Sequence, residues 1–211
     1  MIKDIVFILK SFLVYTALSV ACLLMLTMVL QYTAFRDDVY FLNFKQEFLH
    51  NPTWKTAFYI HVFSAVFALF AGFTQFSTHF LTQHRQSHRF IGKLYAWNVL
   101  VINVPVGMIL ALCANGGLWA KLAFIILDCL WFYFTYQAIV YARKRDFQKH
   151  RDFMVRSYAL TLSAITLRGW KIILSDHFDL DPTQLYIIQA WIAFIPNLLL
   201  AEYIIQRCKR T

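Results

Sequence analysis

The chain has 211 residues, of which 60% are apolar and 15% charged, and its formal net charge is +9. A soluble domain of this size needs far more polar surface to cover its core. The composition therefore excludes a soluble enzyme, a disordered chain and a disulfide-stapled secreted domain. A charge of +9 would suit nucleic acid, but basic residues at the ends of apolar runs report membrane orientation instead. The sequence predicts an all-α, polytopic membrane helix bundle, a single membrane domain over residues 1–211.

Six apolar runs are long enough to cross a bilayer, which takes about 20 residues. In chain order, the predicted transmembrane helices are 11–33, 56–80, 90–113, 118–141, 153–174 and 185–205. The one long connection, residues 35–55, follows the first run. Phe41, Phe44 and Phe48 recur there at helical spacing, which predicts a short interfacial helix.

Basic residues are distributed unevenly between the two sides of the predicted bundle. One side carries Lys3, Arg85, Arg89, Lys93, Arg143, Lys144, Arg145, Lys149, Arg151, Arg156, Arg207, Lys209 and Arg210. The loops on the opposite side mix acids and bases. By the positive-inside rule, both termini are predicted to be cytoplasmic, in a bacterial inner membrane. The lipid bilayer is then the expected partner, and nucleic acid is not.

Spans three and five begin with a similar short pattern, a His-Arg pair just before the apolar run. Two histidines at the membrane edge of facing helices could ligate a haem b iron from opposite sides, and the arginines could pair with its propionates. The same pairs could instead cap the helices and bind lipid phosphate, and both readings stay open. The candidate haem-binding residues are His88, Arg89, His150 and Arg151, with the two histidines as iron ligands.

Polar residues inside the spans are informative because a charge in hydrocarbon is costly unless it is paired. Asp128 and Arg168 are each roughly 21 Å from the predicted cytoplasmic face, at 1.5 Å per residue, which makes an ion pair between them plausible. Similar arithmetic predicts an inward polar layer of His61, Asn103, Asp128, Arg168 and Lys171. Such a layer could fix helix register, or it could relay protons and hold an ion, a quinone or a polar substrate.

Several short motifs carry a resemblance to a known family. They are His61, Gly72 with Gln75, His88 to Tyr95, Asn115-Gly116-Gly117, His150 to Thr161, and Thr166-Leu167-Arg168. Over spans two to six the chain resembles the uncharacterised bacterial membrane family called domain of unknown function 2306. That resemblance implies a membrane location and no particular activity.

The chain is more weakly similar to the cytochrome b561 type of diheme membrane protein. That likeness implies six spans with histidines on a four-helix core, and His88 and His150 would serve a cytoplasmic haem. The sequence departs from this family on the outer side, where His61 has no histidine partner in span four and Asp128 stands mid-span instead.

Three functions agree with these patterns. The first is membrane electron transfer with haem b and a polar site for quinone or proton. The second is a proton-coupled small-solute transporter that uses His61, Asp128 and Arg168. The third is a non-catalytic accessory subunit that meets another membrane subunit. Hydrolase, nucleotide-binding and zinc-protease motifs are missing, and enzymatic activity stays open.

Overall fold

The helices follow one another along the chain with short connections. The computed structural model describes the backbone of residues 2–210 and the side chains of residues 12–210 other than 14, 78 and 79. The side chain of Lys3, counted above with the basic residues, lies outside this part. The α-helices are α1 Ile2–Leu30, α2 Pro52–Gln75, α3 Thr78–Gln83, α4 Arg85–Trp97, α5 Val104–Leu112, α6 Gly117–Arg143, α7 Phe147–Thr161, α8 Ser163–His177, α9 Pro182–Ile192 and α10 Ile195–Arg210.

Local sequence explains where several helices begin. The side chain of Asn51 accepts hydrogen bonds from the amides of Thr53 and Trp54, and Asp181 caps α9 in the same way. A proline occupies the first position of both α2 and α9, where its missing N–H costs nothing. Asp146 caps α7, and the hydrogen bond that its carboxylate accepts from the Lys149 amide lowers the pKa of that carboxyl group.

The helical segments run alternately between two ends of the bundle when α4 with α5, α7 with α8, and α9 with α10 are each taken as one segment. We call one end the basic end; it holds the α3–α4 and α6–α7 connections and the last residues of α10. The other is the loop end; it holds residues 31–51, the α5–α6 turn and the α8–α9 connection. Neighbouring helices pack side by side between these ends: α6 packs along α5 and α7, and α10 packs along α7.

Five stretches of the described chain are long and apolar enough to cross a membrane. They are Tyr15–Ala34, Pro52–Gln75, Arg85–Leu112, Gly117–Arg143 and Pro182–Arg210. The predicted span 153–174 is not among them. Its helix is interrupted at Leu162, between α7 and α8, and Arg168 and Lys171 lower its hydropathy. The prediction of an all-helical, multi-pass protein is therefore confirmed, with five candidate membrane-spanning helices among the described residues. The sixth predicted span stays a prediction.

The long connection does not form the predicted interfacial helix. Residues 31–51 contain three short 3₁₀-helices, Gln31–Ala34, Tyr40–Phe44 and Gln46–Phe48. Tertiary packing decides this conformation, because Leu42 is fully buried in a cluster with Tyr32, Trp54 and Phe58. The connection is thus folded onto the loop end of the helices rather than extended along the membrane surface.

Small residues bring the helices close together around the main core. Alanines at positions 68, 120, 123 and 190 are completely buried, as expected where transmembrane helices pack closely. At Gly72 a side chain would collide with the ring of Tyr158, whose hydroxyl donates to the Leu69 carbonyl at 2.7 Å. The absence of a side chain at Gly72 therefore lets α7 cross directly over α2.

Candidate functional site

A buried polar core lies where α2 meets the junction of α4 and α5. It consists of Ser64, Asn98, Asn103 and Asp128. Asn103 Nδ2 donates to Asn98 Oδ1 at 2.8 Å, and Asn98 Nδ2 donates to the Ser64 carbonyl at 2.9 Å. The Ser64 hydroxyl in turn donates to Asn103 Oδ1 at 3.2 Å. The amide side chains are thereby satisfied inside an otherwise apolar bundle.

A π-helical segment positions the two asparagines. Residues Asn98–Asn103 form a π-helix between α4 and α5, so side chains five apart share one face. Pro105 lies just beyond and supplies no N–H for the helix ladder, which is a recognised cause of such irregular turns. Short π-helical segments are frequent at functional sites, and this one faces the interior of the bundle.

Asp128 is buried near the middle of α6, with 6% of its surface exposed. Its carboxylate packs against Gly107, where a Cβ would lie only 2.6 Å from Oδ2. In the part of the chain described, no hydrogen bond or ion pair to its carboxylate is found. Gly107 lies one turn after Asn103, and Asp128 is therefore next to the hydrogen-bonded asparagines without being satisfied by them.

The predicted ion pair between Asp128 and Arg168 is not formed, and this prediction was wrong. Arg168 Nη1 donates to the Ala164 carbonyl of its own helix at 2.6 Å, and the residue as a whole is exposed. The interruption at Leu162 directs α8 away from α6 and towards α9 and α1. The two charges therefore lie on helices with different neighbours, and their depth in a membrane stays a prediction.

Arg168 is instead part of a second group, which we call the loop-end basic cluster: His61, Arg168 and Lys171. Arg168 lies close enough to His61 and Tyr32 to interact with both electrostatically. His61 Nδ1 is enclosed and has no hydrogen-bond partner among the side chains that the structure describes. The predicted polar layer is thus divided, with Asn103 and Asp128 in the buried polar core and the three bases in this cluster.

A hydroxyl network continues from the buried polar core towards the basic end. The Tyr95 hydroxyl lies 2.7 Å from Ser157 Oγ and 2.9 Å from Thr161 Oγ1. Thr135 Oγ1 lies 2.7 Å from the same serine oxygen, and Trp131 Nε1 donates to the Tyr95 hydroxyl at 3.4 Å. All five side chains are buried, and together they join α4, α6 and α7.

The candidate haem ligands lie beyond this network, at the basic end. His88 and His150 are close enough to interact electrostatically, and His150 Nδ1 lies 2.8 Å from the Ala138 carbonyl. His88 Nδ1 is enclosed without a hydrogen-bond partner.

A haem between the two histidines would need an open slot between α4 and α7. Seven residues further in, about 10 Å, Tyr95 and Ser157 close that space with a direct hydrogen bond. The two histidines as packed here therefore do not fit a haem. The haem b hypothesis stays a prediction.

The arginines of the two His-Arg pairs have different surroundings. Arg89 is exposed at the basic end. Arg151 Nη2 lies 3.5 Å from Asp152 Oδ1, and Lys209 Nζ lies 3.0 Å from Asp152 Oδ2. Asp152 is buried, so these two cations compensate its charge and tie the start of α7 to the end of α10. Arg151 thus has a structural partner of its own.

Lys45 is a residue that the sequence did not single out. It is 1% exposed, and its ammonium group donates to the Cys113 carbonyl and to Asn115 Oδ1. The group also lies 4.9 Å from the centre of the Phe48 ring. Burial lowers the pKa of Lys45. These contacts fasten the long connection to the α5–α6 turn.

Other site residues were also missed from the sequence. Asn98, Tyr95, Thr135 and Ser157 are uncharged, and residues of this kind occur in many helices without any function. Tyr95 and Ser157 do fall within the motifs that carry the family resemblance, which was the one available signal. Trp131 and Thr135 follow Asp128 on the buried face of α6, but the spacing alone does not show which face is buried.

Comparison with known proteins supports the membrane assignment. A family model described as "Predicted membrane protein (DUF2306)" matches residues 58–205. The chain belongs to this family. The match covers α2 to α10, except for the ends, and leaves out α1 and the long connection. A search of curated proteins and one of solved structures found no match, and the likeness to cytochrome b561 is unsupported.

Proposed function

We propose that this DUF2306 protein is a proton-coupled transporter of small solutes, with Asp128 as the proton-binding residue. The observation that carries the proposal is the unpaired, buried carboxyl group of Asp128 in the middle of α6. A carboxylate in such a place costs several kcal/mol, whereas the neutral acid costs much less. Asp128 would therefore hold a proton at rest and release it when water or a cation reaches the site.

The proposed topology has six crossings with both termini in the cytoplasm of a bacterium. In this topology α7 and α8 together make the fifth crossing, and the basic end faces the cytoplasm. The concentration of arginine and lysine at that end supports the orientation. The kink at Leu162 supports a functional role for this crossing, because irregular helices in membrane proteins are tolerated where they border a cavity.

The hydroxyl network supports a cytoplasmic route for the proton. Asp128, Trp131 and Thr135 follow one another on the buried face of α6, and Thr135 contacts Ser157. Ala138, one turn further on, offers its carbonyl to His150 at the basic end. Hydroxyl groups and a histidine can pass protons because each can both donate and accept, and in the proposed route water bridges Asp128 to the hydroxyl network and the network to His150.

The test is solute-dependent proton flux into proteoliposomes that contain a pH-sensitive dye, driven by a voltage with succinate or inorganic phosphate outside, because a coupled transporter moves protons together with its solute. Wild-type protein is expected to acidify the lumen, and Asp128→Asn is expected to reduce the rate by about tenfold or more, since an amide cannot exchange a proton. Asp179→Asn makes the same chemical change at an exposed position of the α8–α9 connection, and it should leave the rate unchanged.

The thermal stability of Asp128→Asn separates folding from function. An amide resembles the neutral acid in shape and charge, so the variant should unfold close to the wild-type midpoint. Wild-type vesicles without proton flux would overturn the proposal, as would an Asp128→Asn variant with the wild-type rate. The quinone, haem b and accessory-subunit hypotheses stay predictions, because no contact described above favours them.

A further inference from the structure

Arg168 is an unusual residue because it is exposed within a predicted crossing and does not reach towards the nearer surface. It lies nine residues before His177, the last residue of α8, which corresponds to about 13 Å. An arginine at such a depth normally extends towards the headgroups. Here the guanidinium group bends back to the Ala164 carbonyl, one turn further from the loop end.

The charge of Arg168 is not balanced by an acid. Over the described part of the chain, neither Arg168 nor Lys171 has a carboxylate oxygen within 4 Å. The acids nearest in sequence, Asp176 and Asp179, lie at the end of α8 or beyond it. Of the acids in the long connection, Asp37 pairs with Lys55 at 2.7 Å, Asp38 pairs with Arg36 at 2.5 Å, and Glu47 interacts electrostatically with Lys45.

The other groups around Arg168 suit an anion. The ring of His61 on α2 has an enclosed Nδ1 with no hydrogen-bond partner among the described residues, and Tyr32, in the 3₁₀-helix Gln31–Ala34 after α1, interacts electrostatically with Arg168. Lys171, one turn beyond Arg168, extends its ammonium group to within 5.7 Å of the centre of the Phe44 ring. Two positive charges thus lie one turn apart on α8, with His61 and Tyr32 near the first of them, and Arg168 presents a planar fork that matches a carboxylate or phosphate.

We propose that Arg168, with His61 and Lys171, binds the carboxylate or phosphate group of a small soluble anion that enters from the loop end. Lipid phosphates have the same oxygen chemistry, but they remain at the membrane surface, whereas the guanidinium group is bonded to the Ala164 carbonyl, one turn further from the loop end than Arg168 itself. A soluble anion is therefore favoured over a headgroup. The site does not depend on proton movement by Asp128.

Equilibrium binding tests this site apart from transport. Purified wild-type protein in phosphatidylcholine nanodiscs is heated with succinate, inorganic phosphate or neither. A bound anion is expected to raise the unfolding midpoint. Arg168→Gln is expected to weaken the apparent affinity by about tenfold or more, the loss typical of a charge-assisted pair. Arg168→Lys should retain part of the affinity.

Lys144→Gln removes a charge at the basic end and should bind like the wild type. Equal stabilisation of Arg168→Gln and wild type would overturn the proposal, as would a folded wild-type protein that neither anion stabilises. A second arm replaces phosphatidylcholine with phosphatidylglycerol and omits the solutes. Stabilisation that depends on Arg168 only in that arm would identify a lipid headgroup and overturn the soluble anion. Anion binding without any proton flux would overturn only the transport proposal.

Discussion

Lys45, Asp128 and Arg168 are charged residues in surroundings that differ greatly from water, and each is accommodated differently. Lys45 is buried but hydrogen-bonded to two oxygens of the α5–α6 turn. Asp128 is buried without a partner, which favours its neutral form. Arg168 keeps its charge, remains exposed and bonds to its own helix. The contacts of Lys45 are therefore provided by the fold itself. In our proposals a bound proton neutralises Asp128, and a bound anion balances the charge of Arg168.

Lys45→Met is expected to destabilise the protein by about 1–3 kcal/mol, because it leaves the Cys113 carbonyl and the Asn115 side chain without their donor. The measurement is thermal unfolding in detergent. Lys55→Met is the control: Lys55 pairs near the surface with Asp37, and such pairs contribute about 0.5 kcal/mol. Equal destabilisation by the two substitutions would show that the buried contacts of Lys45 contribute no more stability than the surface pair of Lys55.

The pH dependence of stability gives a second check on Lys45. Burial lowers the pKa of Lys45 from its usual value of 10.5. Between the lowered pKa and 10.5, the unfolded chain binds more protons at this residue than the folded chain does. The free energy of unfolding should therefore rise with pH across that window. The rise is expected in wild type and not in Lys45→Met, when midpoints are compared from neutral pH to 10.5.

Gly107 is expected to control the position of the Asp128 carboxyl group. A methyl group at this site would lie 2.6 Å from Oδ2, so Gly107→Ala should displace Asp128, reduce proton flux and destabilise the protein by about 1–3 kcal/mol. Gly169→Ala is the matched control, because nothing lies within 4 Å of its added Cβ. It should be neutral or stabilising by up to about 1 kcal/mol, as for an open helical site.

Two irregular helices produce the arrangement of the candidate site. The π-helix Asn98–Asn103 aligns two asparagines that a regular α-helix would turn apart. The interruption at Leu162 separates Arg168 from Asp128 by redirecting α8. Between these two irregular segments and the basic end, the helices remain closely packed, and the hydroxyl network joins α4, α6 and α7 there.

The hydroxyl network predicts energetic coupling between α6 and α7. Ser157→Ala and Thr135→Val should each cost about 1 kcal/mol of stability, because each leaves a buried hydroxyl partner unpaired. The double variant should cost less than the sum by about 0.5 kcal/mol or more. Ser175→Ala, whose hydroxyl bonds only within exposed α8, should have little effect. Strict additivity, measured by thermal unfolding, would contradict a shared network.

At the scale of the whole molecule, most exposed cations lie at the basic end, and the long folded connection lies at the loop end. The basic end gathers exposed cations, together with ion pairs such as Arg156 with Glu202, which ties α7 to α10. The loop end is closed by the long connection, which Lys45 fastens to the α5–α6 turn. This polarity agrees with the proposed orientation, in which the basic end is cytoplasmic.

The six-crossing topology predicts opposite sides for two test positions. In a background without the four native cysteines, Lys144→Cys should react with a membrane-impermeant maleimide only in inverted vesicles. Asp179→Cys should react only in intact cells, since α7 and α8 lie between the two positions and would cross the membrane once. Labelling of both positions from the same side would show that α7 and α8 do not cross.

Sequence alone determined the membrane class, the helix bundle and the family, and it predicted a rough depth for Asp128 and Arg168. Hydrophobic run length and the rise per residue are local properties, and they can be read without knowing how helices pack. The direction in which each helix faces was decided by tertiary structure. The π-helix before α5 helps to place Gly107 against Asp128, the kink at Leu162 sets the position of Arg168, and the folded connection buries Lys45. All three features depend on contacts between distant segments. The charge of +9 thus predicted how the protein is oriented in the membrane. Helix packing decided which charged side chains have no partner among the described residues.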